Sequence, residues 1–321
     1  MNKAVNIIVT CTSRKTQDPT RGYRLRDLRK KAISTRARTW IETLRTSGES
    51  QSKASELYCG EYWSVVRSLP MTARKSGVIV RSWICSAGYG LISPQSQIRA
   101  YSATFSPNER DCVTRGFVGS ARRDAAQQWW REIGQWHGPR GNDLRSVQSI
   151  AHRYPRTPLL VVASPDYLCA LEKDLSNALD TLLDPDLLLI VSAGTRSLGK
   201  LTDHLLPCDA RLQPVLGGTR GSLNIRIARL LLEGAGRTLL NVERGSNELR
   251  KLLSKQSPIV RYDRRAVTDQ QVRTFIRLQL NRKGVVSRSV LLRRFRDSGK
   301  ACEQSRFANL YRQMVIDEKV A

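Results

Sequence analysis

Two cysteines follow short apolar segments of the chain, and each occupies a position from which a thiol could act as a nucleophile. Cys11 follows residues 5–10 and precedes Lys15, while Cys85 follows residues 78–84. A thiol beside a lysine or an arginine ionises more easily, and its thiolate attacks electrophilic carbon. The arrangement therefore predicts thiol chemistry at one of these two loops. The alternative is that both side chains are small buried hydrophobic groups.

Two later apolar segments, residues 159–163 and 187–191, also end in small polar residues. The carboxyl ends of parallel strands face a common crevice, so groups at these ends could line one site. The expected catalytic residues are Cys11, Lys15, Cys85 and Asp166. The expected ligand-contacting residues are Ser13, Ser86, Tyr89, Tyr101, Ser164, Ser192 and Thr195. For any single residue the alternative is a helix cap, because Ser, Asp and Gly are common in such turns.

The four apolar segments are nearly continuous, which is typical of strands that are buried on both faces of a parallel sheet. Helical patterns separate or follow them at residues 24–46, 122–136, 167–183 and 223–233. This alternation predicts an α/β fold with a mostly parallel sheet and helices on both faces. Such a sheet would hold the candidate residues at its carboxyl edge. We assign residues 1–255 to this α/β catalytic domain.

The composition changes after the α/β domain. Residues 261–315 carry 14 Lys and Arg against 4 Asp and Glu. Helical segments at residues 272–280, 287–296 and 301–315, separated by glycine turns, predict a small all-α, helix-turn-helix-like module over residues 256–321. Its third helix would be the recognition helix of a nucleic-acid-binding module. The alternative is an ordinary helical cap with a solvated basic face.

The formal net charge of the 321 residues is +26, and such a field attracts polyanions. Nucleic acid is the expected partner. An anionic membrane surface is the alternative, but no basic amphipathic helix supports it. Residues 217–222 form a glycine-rich turn before a helix, and such a turn can hold an anion. The expected phosphate contacts are Arg220, Arg293, Arg294, Arg306 and Arg312.

Seven cysteines occur at wide spacing and without a C-x-x-C pair. This pattern is unlike a disulfide framework or a zinc site, and it predicts a reducing, cytoplasmic location. The three histidines are not spaced as metal ligands, so we expect no metal and no cofactor. No apolar run approaches the length of about 18 residues that a membrane span needs. The first residues predict a strand and not a signal peptide.

Four segments of the sequence resemble a known family. They are "ICSAGYGLISPQSQIRAY" at residues 84–101, the loop from Cys11 to Lys15, "LYCGEYW" at residues 57–63, and "VLLRRFRDSGKACEQSRF" at residues 290–307. Together they look most like the DpdC-like proteins of the DNA 7-deazaguanine modification system, which acts in phage defence. The loop from Cys11 to Lys15 also resembles the catalytic segment of archaeosine synthase, which adds an amine to the nitrile of 7-cyano-7-deazaguanine in tRNA.

The resemblance implies an enzyme that hydrates the nitrile of 7-cyano-7-deazaguanine in DNA to the carboxamide. Lys15 or Tyr89 would donate a proton to the nitrile nitrogen, and Asp166 would orient water or grip the guanine edge. The ligand-contacting residues would then bind a base flipped out of the duplex. Other proteins of the same modification system would be further partners.

Two other classes of function stay open. The first is a non-enzymatic DNA-binding regulator or defence accessory protein, which would use the same basic surface and give the crevice a sensing role. The second is a nuclease, for which paired acidic metal ligands would be needed. The acidic residues available for it are Asp166, Asp184, Asp186 and Asp209.

Overall fold

The computed structural model describes residues 3–28, 32–45, 51–139, 144–236, 239–258, 263–283 and 287–320. The chain divides into two compact units, Met1–Ser257 and Pro258–Ala321. Within the described residues, no helix combines the length and the apolar character that a membrane crossing requires.

The strands of the first unit are β1 (Lys3–Thr10), β2 (Ser52–Lys53), β3 (Val78–Ser86), β4 (Gly90–Ile92), β5 (Gln97–Ile98), β6 (Leu159–Val162) and β7 (Leu188–Val191). Its α-helices are α1 (Ile33–Arg45), α2 (Ala54–Leu57), α3 (Glu61–Lys75), α4 (Gly119–Gln135), α5 (Val147–Arg153), α6 (Pro165–Thr181), α7 (Gln213–Leu216), α8 (Leu223–Gly234) and α9 (Val242–Leu253). The predicted apolar segments all form strands.

The main sheet has the strand order β4-β3-β1-β6-β7. Strand β1 pairs in parallel with β3 and β6, and β6 pairs in parallel with β7, whereas the short edge strand β4 is antiparallel to β3. The predicted α/β fold with a mostly parallel sheet is therefore confirmed. Thr10 pairs with Cys85 in this register, so the loops after β1 and β3 leave the sheet side by side.

Helices cover both faces of the sheet. All residues of β6 and β7 are buried, which requires cover on either side. Helix α3 packs on α8, and α4 packs on α6. The chain reaches β3 through α3 and returns across β1 to β6 through α4 and α5. Because right-handed crossovers in opposite directions place their helices on opposite faces, these helices form the two outer layers.

The helix predicted over residues 24–46 is wrong in its first part. The chain there forms a 3₁₀ turn at Leu25–Leu28, and α1 begins only at Ile33. The backbone N–H of Leu25 donates to Ser102 O at 2.9 Å, and the N–H of Arg26 donates to a carboxylate oxygen of Asp111 at 2.8 Å. These long-range partners replace the hydrogen bonds of a helical turn.

The second unit contains α10 (Asp269–Lys283), α11 (Arg288–Asp297) and α12 (Gln304–Val320), with short strands β8 (Arg265–Ala266) and β9 (Lys300–Ala301). Its separate apolar core includes Val272, Ile276, Phe295, Phe307 and Leu310. The three predicted helical segments are present, but α12 begins after residue 301, because Lys300 and Ala301 pair with β8. The helix-turn-helix arrangement of this unit stays a prediction.

Candidate functional site

The thiol of Cys11 lies where β1 ends. The Cys11 N–H donates to the carbonyl oxygen of Cys85 at 2.9 Å, which joins the starts of the two predicted loops. The Sγ atom lies 3.2 Å from the hydroxyl of Tyr167, and either group can donate this hydrogen bond. Tyr167 belongs to the first turn of α6. Three elements of the α/β fold therefore position the thiol, whose residue is 8% exposed.

The amine of Lys15 lies above an aromatic platform. Its Nζ atom is 4.3 Å from the ring centroid of Tyr101 and 5.7 Å from that of Tyr58, and it donates to Thr12 O at 3.2 Å. The loop is tied to the chain around Tyr58 by an antiparallel bridge. An ammonium group over ring faces is held by the negative face of each ring.

The environment of Lys15 lowers its pKa. Burial lowers the pKa of Lys15 from its ordinary value, and the negative charges that Cys11, Cys59 and Asp111 can carry oppose this effect. A lysine with a lowered pKa exchanges its proton more readily near neutral pH. Cys59 was not among the predicted site residues, although it lies in the "LYCGEYW" segment.

A cavity of about 350 Å³ opens beside Lys15. Its lining includes Ser13, Asn108, Glu109 and Asp111, and the size falls within the usual range for small-molecule sites. In the described part of the chain the side chains of Asn108 and Glu109 have no hydrogen-bond partner, so they are available to a ligand. Ser13 was predicted to contact a ligand; the other three lie far from it in sequence.

Asp111 forms a fixed wall of this cavity. Its carboxylate accepts from the Arg26 Nε at 2.9 Å, from the Arg26 Nη2 at 2.5 Å and from the Ser102 hydroxyl at 2.7 Å. Burial alone would raise the pKa of Asp111, but the hydrogen bonds from Arg26 and Ser102 outweigh it and lower the pKa. The carboxylate therefore stays ionised and paired, and it is unsuited to the role of a general base.

The glycine-rich loop after β3 does not line the cavity. The Ser86 hydroxyl lies 2.7 Å from that of Tyr101 and accepts from the N–H groups of Gly88 and Tyr89. Tyr89 accepts from the N–H of Arg99 at 3.0 Å. Ser86, Tyr89 and Tyr101 are all buried. Ser86 and Tyr89 contact Tyr101, and Tyr101 contacts Lys15, so a ligand contact of these three residues stays a prediction that their burial does not favour.

Cys85 is buried inside the sheet. Its side chain is 0% exposed, and burial raises the pKa of its thiol well above the ordinary value, with a further contribution from Cys11. A protonated thiol without access to solvent or ligand cannot serve as a nucleophile. The structure therefore argues against the predicted catalytic role of Cys85, and Cys11 is the remaining candidate of the pair.

The other predicted residues lie outside the cavity. Asp166 accepts from Arg122 at 2.7 Å in an ion pair. Ser164 precedes α6 without a capping hydrogen bond from its side chain, and the hydroxyls of Ser192 and Thr195 lie 2.8 Å from one another after β7. The structure therefore does not bring these four residues into contact with the cavity beside Lys15.

The glycine-rich turn before α8 holds an anion that the protein itself supplies. The carboxylate of Glu61 accepts from the Thr219 N–H at 3.0 Å, the Ser222 hydroxyl at 2.7 Å and the Arg226 guanidinium at 2.9 Å. These hydrogen bonds, the largest contribution being that of Ser222, lower the pKa of Glu61 to about 2. The predicted anion site is thus occupied internally, and Arg220 beside it is exposed.

The acidic residues that a nuclease would need are dispersed. Asp184 accepts from the N–H of Asp186, and Asp209 pairs with Arg211 at 2.8 Å. Among the described residues, no group of three or more His, Cys, Asp or Glu side chains is arranged to hold a metal ion. This part of the structure offers no support for metal-dependent cleavage.

Three of the predicted phosphate contacts in the second unit are exposed: Arg293 and Arg294 on α11, and Arg312 on α12. Arg306 is instead engaged, because its guanidinium pairs with Asp269 at 2.6 Å and donates to Val267 O at 2.9 Å. The basic surface of α11 is therefore accessible to a polyanion, whereas Arg306 also holds the unit together.

Comparison with known proteins identified no relative: no protein-family model, no curated protein and no solved structure matches this chain. The resemblance to the DpdC-like proteins is therefore carried by the sequence motifs alone.

Proposed function

We propose that this protein hydrates the nitrile of 7-cyano-7-deazaguanine in DNA to the carboxamide, with Cys11 as the nucleophile. One observation carries the proposal: the thiol of Cys11 is close enough to Lys15 for their charges to interact, and Lys15, whose pKa is lowered by burial, lines a cavity of about 350 Å³. This pairs a nucleophile with a proton donor next to a space that accepts a small ligand.

The reaction would proceed through a covalent intermediate. The Cys11 sulfur attacks the nitrile carbon, and the nitrile nitrogen takes up a proton from Lys15, which gives a thioimidate. Water then adds to the same carbon, and the bond to sulfur breaks, so the amide leaves and the thiol is restored. The net change is the addition of one water. Lys15 recovers its proton from the thiol, and the two protons of the water go to the nitrogen and to the sulfur.

The burial of Cys11 is compatible with this chemistry. A nitrile is linear and narrow, and in this proposal it passes Lys15 to reach the thiol, whose residue is 8% exposed. The Tyr167 hydroxyl, 3.2 Å from the sulfur, can stabilise the thiolate by donating to it. In this proposal Cys85 and Asp166 stabilise the fold and take no part in the reaction.

The rim of the cavity suits a guanine-like base. Such a base presents neighbouring N–H donors on its Watson–Crick edge, and the unpartnered carboxylate of Glu109 can accept from both. Asn108 beside it supplies an amide. Because a base inside a duplex cannot reach the cavity, it would be flipped out of the stack. The net charge of +26 would hold the DNA backbone.

The direct test uses duplex DNA that contains the cyano base. The DNA is incubated with the protein and digested, and the released nucleoside is weighed. We expect a mass gain of one water with the wild type and with Cys85→Ala, and none with Cys11→Ala. The absence of any gain under conditions in which the DNA is bound would overturn the proposal.

A non-enzymatic DNA-binding regulator is the second candidate, and the exposed arginines of α11 favour it. Such a protein would keep its DNA-dependent function in the Cys11→Ala variant, whereas the enzyme would lose it. Both candidates fit a defence system with further protein partners. We place either in the cytoplasm, where the seven free thiols would stay reduced.

A further inference from the structure

The second unit contains a pocket that the proposed chemistry does not use. It measures about 320 Å³, and three of the residues that line it are Arg264, Arg296 and Arg306. These arginines come from three different places: the segment before β8, the last turn of α11 and the first turn of α12. The fold of this unit thus brings together positive charges that are distant in sequence.

Each guanidinium is held by the protein. Arg264 donates from Nε to Arg296 O at 3.2 Å, and Arg296 donates from Nη2 to Cys302 O at 2.9 Å. Arg306 donates to Val267 O at 2.9 Å. A guanidinium has five N–H donors, so Arg296 and Arg306 keep further donors for a ligand. Because the side chains are already fixed, binding of a ligand to these donors costs little additional side-chain entropy.

The residues that line the pocket carry more positive than negative charge. Among the described residues that line it, Glu303 carries the one carboxylate, which accepts from the Ser305 hydroxyl at 2.5 Å. Asp269 pairs with Arg306 from outside the lining. Guanidinium groups bind phosphate oxygens through paired, charge-assisted hydrogen bonds. We propose that Arg264, Arg296 and Arg306 form a phosphate site that anchors the DNA backbone, which deepens the proposed function because it rests on DNA as the partner.

The test measures affinity for unmodified duplex DNA as a function of salt, with the full-length protein. We expect Arg264→Gln with Arg306→Gln to lower the affinity by about tenfold or more. The slope of log affinity against log salt should fall by about one unit for each phosphate that the variant no longer binds. The control is a matched loss of charge outside the pocket, Arg277→Gln together with Arg273→Gln on α10. Equal losses in both double variants would overturn the site.

Folding and the source of the phosphate are controlled separately. If circular dichroism shows that the pocket variant is unfolded, Arg296→Lys replaces it, since lysine keeps the charge and loses the paired geometry. Wild-type DNA affinity in Arg296→Lys would contradict the site.

Inorganic phosphate is titrated as a second ligand. Its binding, with DNA affinity unchanged in the variants, would identify a free-phosphate site and overturn the assignment to DNA. Because no nitrile is involved, failure of hydration leaves this result unaffected.

Discussion

The ammonium group of Lys15 lies 4.3 Å from the ring centroid of Tyr101, and the hydroxyl of the same ring lies 2.7 Å from that of Ser86. Tyr101 therefore connects the loop after β1 to the end of β3. Ser86, the last residue of β3, and Tyr89 in the turn that follows it both contact Tyr101, and the Lys15 ammonium lies over the face of the same ring.

Replacing Lys15 with methionine should raise stability and slow the hydration of the nitrile. Burial lowers the pKa of Lys15, so the native state is penalised for its charge, and Lys15→Met removes the penalty. As pH rises toward 10.5, native Lys15 loses its proton before the unfolded chain does, so the wild type gains stability and the difference shrinks. Melting temperatures across this range test the prediction; a constant difference would contradict it. Hydration should fall by about 100-fold or more.

Gly88 should not tolerate a side chain. A Cβ at this position would overlap the ring of Tyr101. We expect Gly88→Ala to lower the free energy of unfolding by about 1–3 kcal/mol and to displace the platform under Lys15. Gly221→Ala is the control, because its Cβ would meet only the Thr219 hydroxyl at 3.9 Å. Urea denaturation measures the free energy of unfolding of both variants. Equal values for the two would show that a Cβ at Gly88 does not overlap the Tyr101 ring.

The ion pairing of Glu61 should appear as an acid-dependent contribution to stability. Its pKa is lowered from 4.5 to about 2, so its contribution is complete above 4.5 and is lost as pH falls through about 2. Glu61→Gln should therefore melt below the wild type at neutral pH, and the two curves should converge near pH 2. Glu56→Gln, the loss of an exposed carboxylate, serves as the control. If the melting temperatures of Glu61→Gln and the wild type differ by the same amount at every pH, the ionised carboxylate of Glu61 does not make this contribution.

The side chain of Asn6 should lower the free energy of unfolding of the protein. It lies in the central strand β1 with 1% exposure, and neither of its amide atoms has a hydrogen-bond partner among the described residues. An unsatisfied buried polar group costs about 1–3 kcal/mol, and valine suits a strand. Asn6→Val should therefore increase the free energy of unfolding, while Asn6→Asp should decrease it. A loss of stability in the valine variant would show that the amide makes a favourable contact.

The sheet was predictable from sequence because its strands are local features. Continuous apolar runs identified β1, β3, β6 and β7, and their burial on both faces indicated a parallel arrangement. Helix α3 was missed, since it contains Pro70, which usually ends a helical pattern. The 3₁₀ turn at Leu25–Leu28 was missed because its hydrogen bonds come from Ser102 and Asp111, which are distant in sequence.

Residues of the candidate site were predictable from the sequence only where a reactive side chain directly follows a strand. Cys11 and Lys15 follow β1 directly, and the structure places them together. Cys85 was expected to follow its strand, but β3 extends to Ser86 and pairs Cys85 with Thr10, so the side chain lies inside the sheet, which composition does not reveal. Glu109 and Asp111 reach the cavity through a loop folded against Arg26, and no local pattern marks such a long-range contact.

In the proposed reaction the thiol of Cys11 attacks a nitrile on DNA and becomes covalently attached to it. The most direct measurement is denaturing gel electrophoresis of protein mixed with end-labelled DNA that contains the cyano base, with rapid acid quenching. We expect a protein–DNA adduct that is absent with unmodified DNA and absent in Cys11→Ala, and that is retained in Cys85→Ala. The same adduct in Cys11→Ala, or hydration of the nitrile by that variant at the wild-type rate, would show that Cys11 is not the nucleophile.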